Sequence, residues 1–180
     1  MIISLSGKKR AGKSSCAEHL VSLGWDEVSW AYPLKEVIGR QLFGLTDEQM
    51  YGDAEAKEAT LPAWGMSARQ ILQVVGTDLF RKHICDDFWV RIGVRRILEL
   101  QPRNIVISDT RFPNEAQAVR AMGGTTICVE KIRTDGLTPP LDTHPSETAL
   151  DDFNFDHRII AFQGDMVGLR RQLMDIIGEK

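Results

Sequence analysis

Residues Gly7-Lys8-Lys9-Arg10-Ala11-Gly12-Lys13-Ser14 constrain this chain more than any other stretch. The apolar run Ile2 to Ser6 precedes them, and Cys16, Ala17, Leu20 and Leu23 follow at helical spacing. The pattern is G-x-x-x-x-G-K-[ST], set between an expected strand and an expected helix. Its two glycines let the main chain curl so that several N–H groups converge on one point. The helix starting near Lys13 aims the positive end of its dipole at the same place. Such a loop calls for a polyphosphate. Lys13 can reach the β- and γ-phosphates of ATP, the Ser14 hydroxyl can ligate Mg²⁺, and Ser15 falls near the α-phosphate. Gly7, Lys9, Arg10, Ala11 and Gly12 complete the ATP-binding set. The bland alternative is a glycine turn carrying a solvated basic patch.

The 180 residues suit one domain with a substantial core, and the net charge is -3. That balance disfavours a nucleic-acid binder working by bulk charge but allows one local basic site. Cys16, Cys85 and Cys128 are odd in number and far apart, and His19, His83, His144 and His157 lack ligand spacing. Neither a disulfide framework nor a zinc site is expected. No apolar run is long enough to span a membrane, and the expected address is cytoplasmic.

Five strands are expected: Ile2 to Ser6, Glu27 to Trp30, Asn104 to Ser108, Thr125 to Glu130 and His157 to Phe162. Helices are expected over Lys13 to Leu23, Pro33 to Phe43, Asp87 to Leu100 and Pro113 to Met122. A last helix has Met166, Leu169, Leu173 and Ile177 on one face. Ser67-Ala-Arg-Gln70 is a capping box opening another helix, whose Ala68, Ile71, Leu72 and Val75 form an apolar face. Gly76-Thr77-Asp78 should interrupt it, with a further short helix to Ile84. Thr46 to Trp64 reads as loop with one short helix at most, and Lys131 to Pro145 as a mobile loop. Alternation of strands and helices predicts an α/β fold, a mostly parallel five-stranded sheet with helices on both faces. Ligands of such sheets bind outside the carboxyl ends of the strands, where the quoted loop lies.

After the phosphate loop come, in chain order, the segments "AYPLK", "SARQILQVVGTDLF", "DDFWV", "IVISDTRFPNEAQAVRAMGG" and "DTHPSE". Together they resemble the deoxynucleoside monophosphate kinases of bacteriophages, a branch of the P-loop nucleoside monophosphate kinases. The resemblance runs from Ser4 to about Phe162. It implies a three-layer P-loop NTPase fold and transfer of the ATP γ-phosphoryl group to a dNMP. It places Arg69, Gln73, Gly76, Thr77, Trp89, Asp109, Arg111 and Glu115 on the monophosphate side. It also implies a single kinase domain with a monophosphate-binding helical region at about 33–100 and a lid-like loop at about 131–145. The partners would be small molecules, not nucleic acid or membrane, and the address the host cytoplasm if the gene is a phage's. Monomer and homodimer both stay open. Thr46 to Trp64 looks shorter than in larger relatives, which leaves base selectivity open.

The residue chemistry runs alongside these roles. Asp109 closes an apolar strand, where a carboxylate can hold Mg²⁺ or cap the next helix. Arg111 has a fork suited to phosphate, or could pair with Glu115 four residues on. Lys13, Arg69, Asp109 and Arg111 are thus the candidate catalytic set, with Ser14 and Asp109 toward the metal. Arg69 sits in a first helical turn, where an anionic ligand would offset the unfavourable dipole. Gln73, one turn on, could bond a base edge. Trp89 could stack on the base or simply fill a core. Lys35 reads as a phosphate contact or a solvated lysine, and Lys131 and Arg133 as lid cations or a solvated run. Glu147 receives no role, and His144 none beyond two open alternatives, the lid or the adenine edge. A kinase of another small metabolite, such as dephospho-coenzyme A, and a regulatory or assembly ATPase are the competing readings.

Overall fold

Ile2–Ser6 forms strand β1, and all five of its residues are buried. A run with no polar face can only sit in the middle of a sheet covered on both sides. In the computed structural model, which describes residues 1–132 and 144–178, it does so. The chain divides into two compact units, one of Met1–Ser29 with Gly93–Lys180 and one of Trp30–Ile92.

The first unit holds β1, β2 (Asp26–Val28), β5 (Ile105–Ile107), β6 (Thr125–Ile132) and β7 (His157–Phe162). They form one parallel sheet in the order β2-β5-β1-β6-β7. The chain leaves β1 toward β2 on one side and later fills β6 and β7 on the other. The carboxyl end of β1 is therefore the switch point of the sheet, where ligands of open α/β sheets bind. Helices α1 (Lys13–Ser22) and α8 (Met166–Ile177) share one core with the sheet. In it Cys16, Ala17, Leu20, Leu169, Leu173 and Ile177 pack on Ile3, Leu5, Val106, Ile127, Val129 and Ile159. Helix α6 (Pro113–Ala121) packs on β1 and β6. Leu23 and Met166, expected on the apolar faces, are exposed instead. Leu23 is the residue that caps α1, and Met166 opens α8, so each lies where its helix leaves the core.

Strand β2 stops at Val28 rather than Trp30. Strand β6 continues past Glu130, because Lys131 and Ile132 pair with Ala161 and Phe162. Lys131 is accordingly a strand residue, not the start of a loop. Arg133 and most of the expected loop lie outside the described residues.

The second unit is mostly helical. A helix over Leu34–Leu42 has wide π-type turns, closed by Phe43 N–H bonding the Ile38 carbonyl at 3.0 Å. The stretch expected to be loop with one short helix at most forms α2 (Asp47–Tyr51), α3 (Ala54–Glu58) and β3 (Thr60–Leu61), which pairs in a small hairpin with β4 (Met66–Ser67) just beyond it. Each short helix is set by its cap: Thr46 with Gln49 in a capping box, and Asp53 accepting from the Ala56 N–H. Five-residue helices show too little apolar repeat to be seen by periodicity. Ser67 and Gln70 form the expected box opening α4 (Ala68–Gln73). Leu45, Met50, Ala68 and Ile71 make the core of this unit, with Leu72 and Val75 packed against it.

Gly76-Thr77-Asp78 does not interrupt the helix. The chain runs on from α4 as a π-type helix, Val74–Ile84. Gly76 serves packing there: a Cβ at this position would meet Leu34 Cδ2 at 2.6 Å. Helix α5 (Phe88–Leu100) follows.

Candidate active site

The loop between β1 and α1 is wound by positive φ at Gly7 (132°), Arg10 (65°) and Gly12 (110°). Gly7 has a second reason to be glycine. A Cβ there would lie 2.1 Å from the Val129 carbonyl oxygen, so the loop can pass beside β6 only without a side chain. Lys13 folds back across the loop and donates to the carbonyls of Gly7 at 2.6 Å and Lys8 at 3.0 Å. Its ammonium pKa falls to about 8, first through burial and next through repulsion by Arg111. The charges of Glu147 and Asp109 act in the opposite direction. Ser14, Lys9 and Arg10 are exposed, and Ser15 is half-buried.

Asp109 and Arg111 follow the carboxyl end of β5. Ser29 Oγ donates to the Asp109 carboxylate at 2.7 Å. The hydroxyls of Thr110 and Ser4 are 2.6 Å apart, and the Thr110 N–H reaches the Leu5 carbonyl at 3.3 Å. These bonds pin the Asp109–Arg111 turn to β1, and so to the strand that leads into the phosphate loop. Lys13, Asp109 and Arg111, distant in sequence, are thereby brought into one charge cluster.

Arg111 does not pair with the Glu115 side chain. Its Nη1 donates to the Glu147 carboxylate and, at 3.3 Å, to the Ser146 carbonyl. Glu115 turns inward, 3% exposed, and accepts from the backbone N–H groups of Arg111 at 2.7 Å and Phe112 at 3.1 Å. These bonds tie the Glu115 carboxylate to the amides that open α6. A carboxylate at the start of α6 is consumed by the amides and dipole of that helix.

In the second unit Arg69 lies in the first turn of α4, its Nε 3.6 Å from Glu58 Oε1, and Gln73 ends the same helix half-buried. Gly76 and Thr77 are buried in the π-type helix. Trp89 is 6% exposed and sits in a cluster with Phe80 and Phe88, its indole N–H bonded to the Gly76 carbonyl at 2.9 Å. Of the two readings open for Trp89, this packing is the one its surroundings favour, since the polar edge and most of the ring are engaged in it.

Three participants went unassigned in the sequence. Ser29 carried no signal. Lys8 was one cation among four; its Nζ bonds the Glu147 carbonyl at 2.7 Å and pairs with Asp151. Glu147 lies in the quoted "DTHPSE" segment, but nothing local connects it to Arg111.

For Mg²⁺ the relevant donors are the Ser14 hydroxyl and the Asp109 carboxylate. Among the described residues there is no group of three or more His, Cys, Asp or Glu able to hold a metal. One or two hard oxygen ligands suit an ion that keeps water and substrate phosphate in its shell, so the donor set fits.

A phosphate loop at the switch point of a five-stranded parallel sheet, with a half-buried lysine folded over it, defines a P-loop kinase fold. The fold matches that of a shikimate kinase from Bacteroides thetaiotaomicron, with TM-score 0.55 and 11% identity, covering 99% of this chain and 98% of that one. It also matches TT1252 from Thermus thermophilus, with TM-score 0.51 and 15% identity over 99% and 96%. The chain itself belongs to the deoxynucleotide monophosphate kinase family, whose model matches residues 54–172. It is 39% identical over 163 residues to an Acanthamoeba polyphaga mimivirus protein provisionally named a deoxynucleotide monophosphate kinase, covering 83% of this chain and 82% of that protein. It is 29% identical over 110 residues to the deoxynucleoside-5'-monophosphate kinase of Escherichia phage T5, covering 59% of this chain and 44% of that enzyme. The matched family region contains Arg69, Gln73, Asp109 and Arg111 but begins after the phosphate loop.

Proposed function

We propose that this protein transfers the γ-phosphoryl group of ATP to the 5'-phosphate of a deoxynucleoside monophosphate, with the Lys13 loop on the donor and Arg69, Gln73 and Arg111 on the acceptor. The observation that carries the reading is the Lys13–Asp109–Arg111 cluster at the switch point of a chain in this family.

The acceptor needs no general base. A phosphate monoester has a second pKa of about 6, so its attacking oxygen is already deprotonated at neutral pH. A new P–O bond forms between that oxygen and the γ-phosphorus as the bond to the β-bridging oxygen breaks, and ADP departs with those electrons. Two polyanions must be brought into line, so the protein's task is charge screening and alignment. Amides of the loop and the N-terminal end of α1 bind the donor phosphates. Lys13 swings from the Gly7 and Lys8 carbonyls to oxygens of the phosphate chain. Arg111 and Arg69 supply forked donors for the acceptor phosphate and the transferring group. Ser14 and Asp109 would hold Mg²⁺, which when bound neutralises charge between the β- and γ-phosphates. Ser29 orients Asp109 through the bond already described.

The test is a coupled ADP assay with ATP and Mg²⁺ across the four dNMPs and four NMPs. ADP formation that depends on a dNMP is expected, with Lys13→Ala at least about a hundredfold slower. Acceptor-independent hydrolysis, or transfer only to another metabolite, would overturn the reading. Arg69→Ala should chiefly raise the KM for the dNMP; a change confined to the KM for ATP would reverse the division of roles.

A further inference from the structure

We propose that Glu147 is a positioning residue: it grips Nη1 of Arg111 and so aims the rest of that guanidinium at the phosphate being transferred. The proposal rests on the kinase reading above and adds to it the device that orients one of its arginines.

The pair is lopsided in burial. The Glu147 side chain is 7% exposed and that of Arg111 37%. Breaking an ion pair with one partner this buried is costly, so the contact is held rather than casual. Among the described residues, the Arg111 guanidinium bonds the Glu147 carboxylate and the Ser146 carbonyl, and both bonds use Nη1. The edge formed by Nη2 and Nε is therefore left for a planar, two-point grip on phosphate oxygens.

Glu147 is itself anchored. It belongs to the one-turn helix α7 (Pro145–Thr148), whose start is set by His144. His144 Nδ1 accepts from the Ser146 N–H at 3.2 Å, and its carbonyl accepts from the Glu147 N–H at 2.8 Å. From the other side, Lys8 of the phosphate loop reaches the Glu147 carbonyl and Asp151. The same four residues of backbone thus touch the donor loop and hold Arg111. Glu147 also offsets the mutual repulsion of Lys13 and Arg111, which lets two cations stand in one site before any phosphate arrives.

Alignment and charge make opposite demands on a variant. Removing Glu147 deletes a negative charge beside an anion site, so phosphate-bearing substrates should bind no worse. It also frees Arg111 to rotate, so transfer should slow. In steady state with the best dNMP and ATP, Glu147→Ala and the isosteric Glu147→Gln should lower kcat, the former at least tenfold. The KM for the dNMP should hold or fall. Arg111 is exposed enough to be re-solvated, and thermal melting of both variants checks that the fold survives.

The discriminating measurement is the double variant. Arg111→Ala with Glu147→Ala should be no slower than Arg111→Ala alone, because the aiming that Glu147 supplies is already lost with the Arg111 guanidinium. Multiplying losses, or kcat within twofold of wild type for folded Glu147→Ala and Glu147→Gln, would overturn the proposal. A wild-type protein that phosphorylates no dNMP would fail the kinase reading instead, before any variant is compared.

Discussion

The indole N–H of Trp89 donates to the Gly76 carbonyl at 2.9 Å, across a helix junction where both residues are buried. Helix α5 is thereby fastened to the π-type helix Val74–Ile84. Trp89→Phe keeps the ring packing and removes the donor. Stability should fall by about 0.5–1.5 kcal/mol, the net contribution of one hydrogen bond, as read from urea unfolding. The KM for the dNMP should change less than twofold. A large rise in KM with unaltered stability would return Trp89 to a base-stacking role.

Gly7→Ala combines two penalties. The backbone sits at φ 132°, and the added methyl would meet the Val129 carbonyl oxygen at 2.1 Å. Main-chain atoms cannot swing aside as a side-chain end can. The loop should move off β6, with ATP binding weakened at least tenfold by calorimetry, as expected from about 1–3 kcal/mol of local strain. Gly76→Ala is the useful contrast. Its neighbour is Leu34 Cδ2, the end of a flexible side chain, so a milder loss of stability is expected and ATP affinity should hold.

Lys13 gives the site a pH signature. Its ammonium pKa in the free protein is lowered from 10.5 to about 8, mainly by burial. ATP needs the charged form, so kcat/KM for ATP should fall as pH rises through about 8, approaching tenfold per unit beyond it. Conformational stability responds in the opposite sense. Between about 8 and 10.5 the unfolded chain holds the Lys13 proton and the folded chain does not, so this group makes stability rise with pH there. Lys13→Arg should abolish both inflections. The paired profiles from pH 6.5 to 9.5 check this; an alkaline limb persisting in the arginine variant would assign it to another group.

Glu115→Ala should cost about 1–3 kcal/mol of stability, because two backbone N–H groups at the start of α6 lose their shared acceptor. One of them belongs to Arg111, so kcat should drop as well. Denaturant midpoints and initial rates separate the two effects. A variant weakened only in KM for the dNMP, at full stability, would restore Glu115 to the acceptor site.

What could be read locally was read well. The strand at Ile2 to Ser6, the glycines of the phosphate loop, the Ser67 capping box and the strand at His157 to Phe162 depend on neighbours within a few residues. Of the two short helices after Thr46 the sequence allows only one and places neither, although their caps are visible, because five residues carry no measurable period. Gly76 was misread as a helix break. Its reason is the Leu34 side chain, which approaches from another helix and leaves no mark in the residues beside it.

By itself, then, the sequence determined the strand–loop–helix of the phosphate-loop motif, the alternation that makes a parallel sheet, and the residue types around the proposed chemistry. Backbone conformation at glycines, caps and apolar repeats are short-range physics, and short-range physics is written in consecutive residues. Tertiary structure decided who meets whom. Arg111 had a carboxylate four residues away in Glu115, yet took Glu147, 36 residues on, because the amides opening α6 had already claimed the nearer one. Which of two chemically equal carboxylates stays available is settled by burial and by competition among donors, and neither exists until the chain has folded.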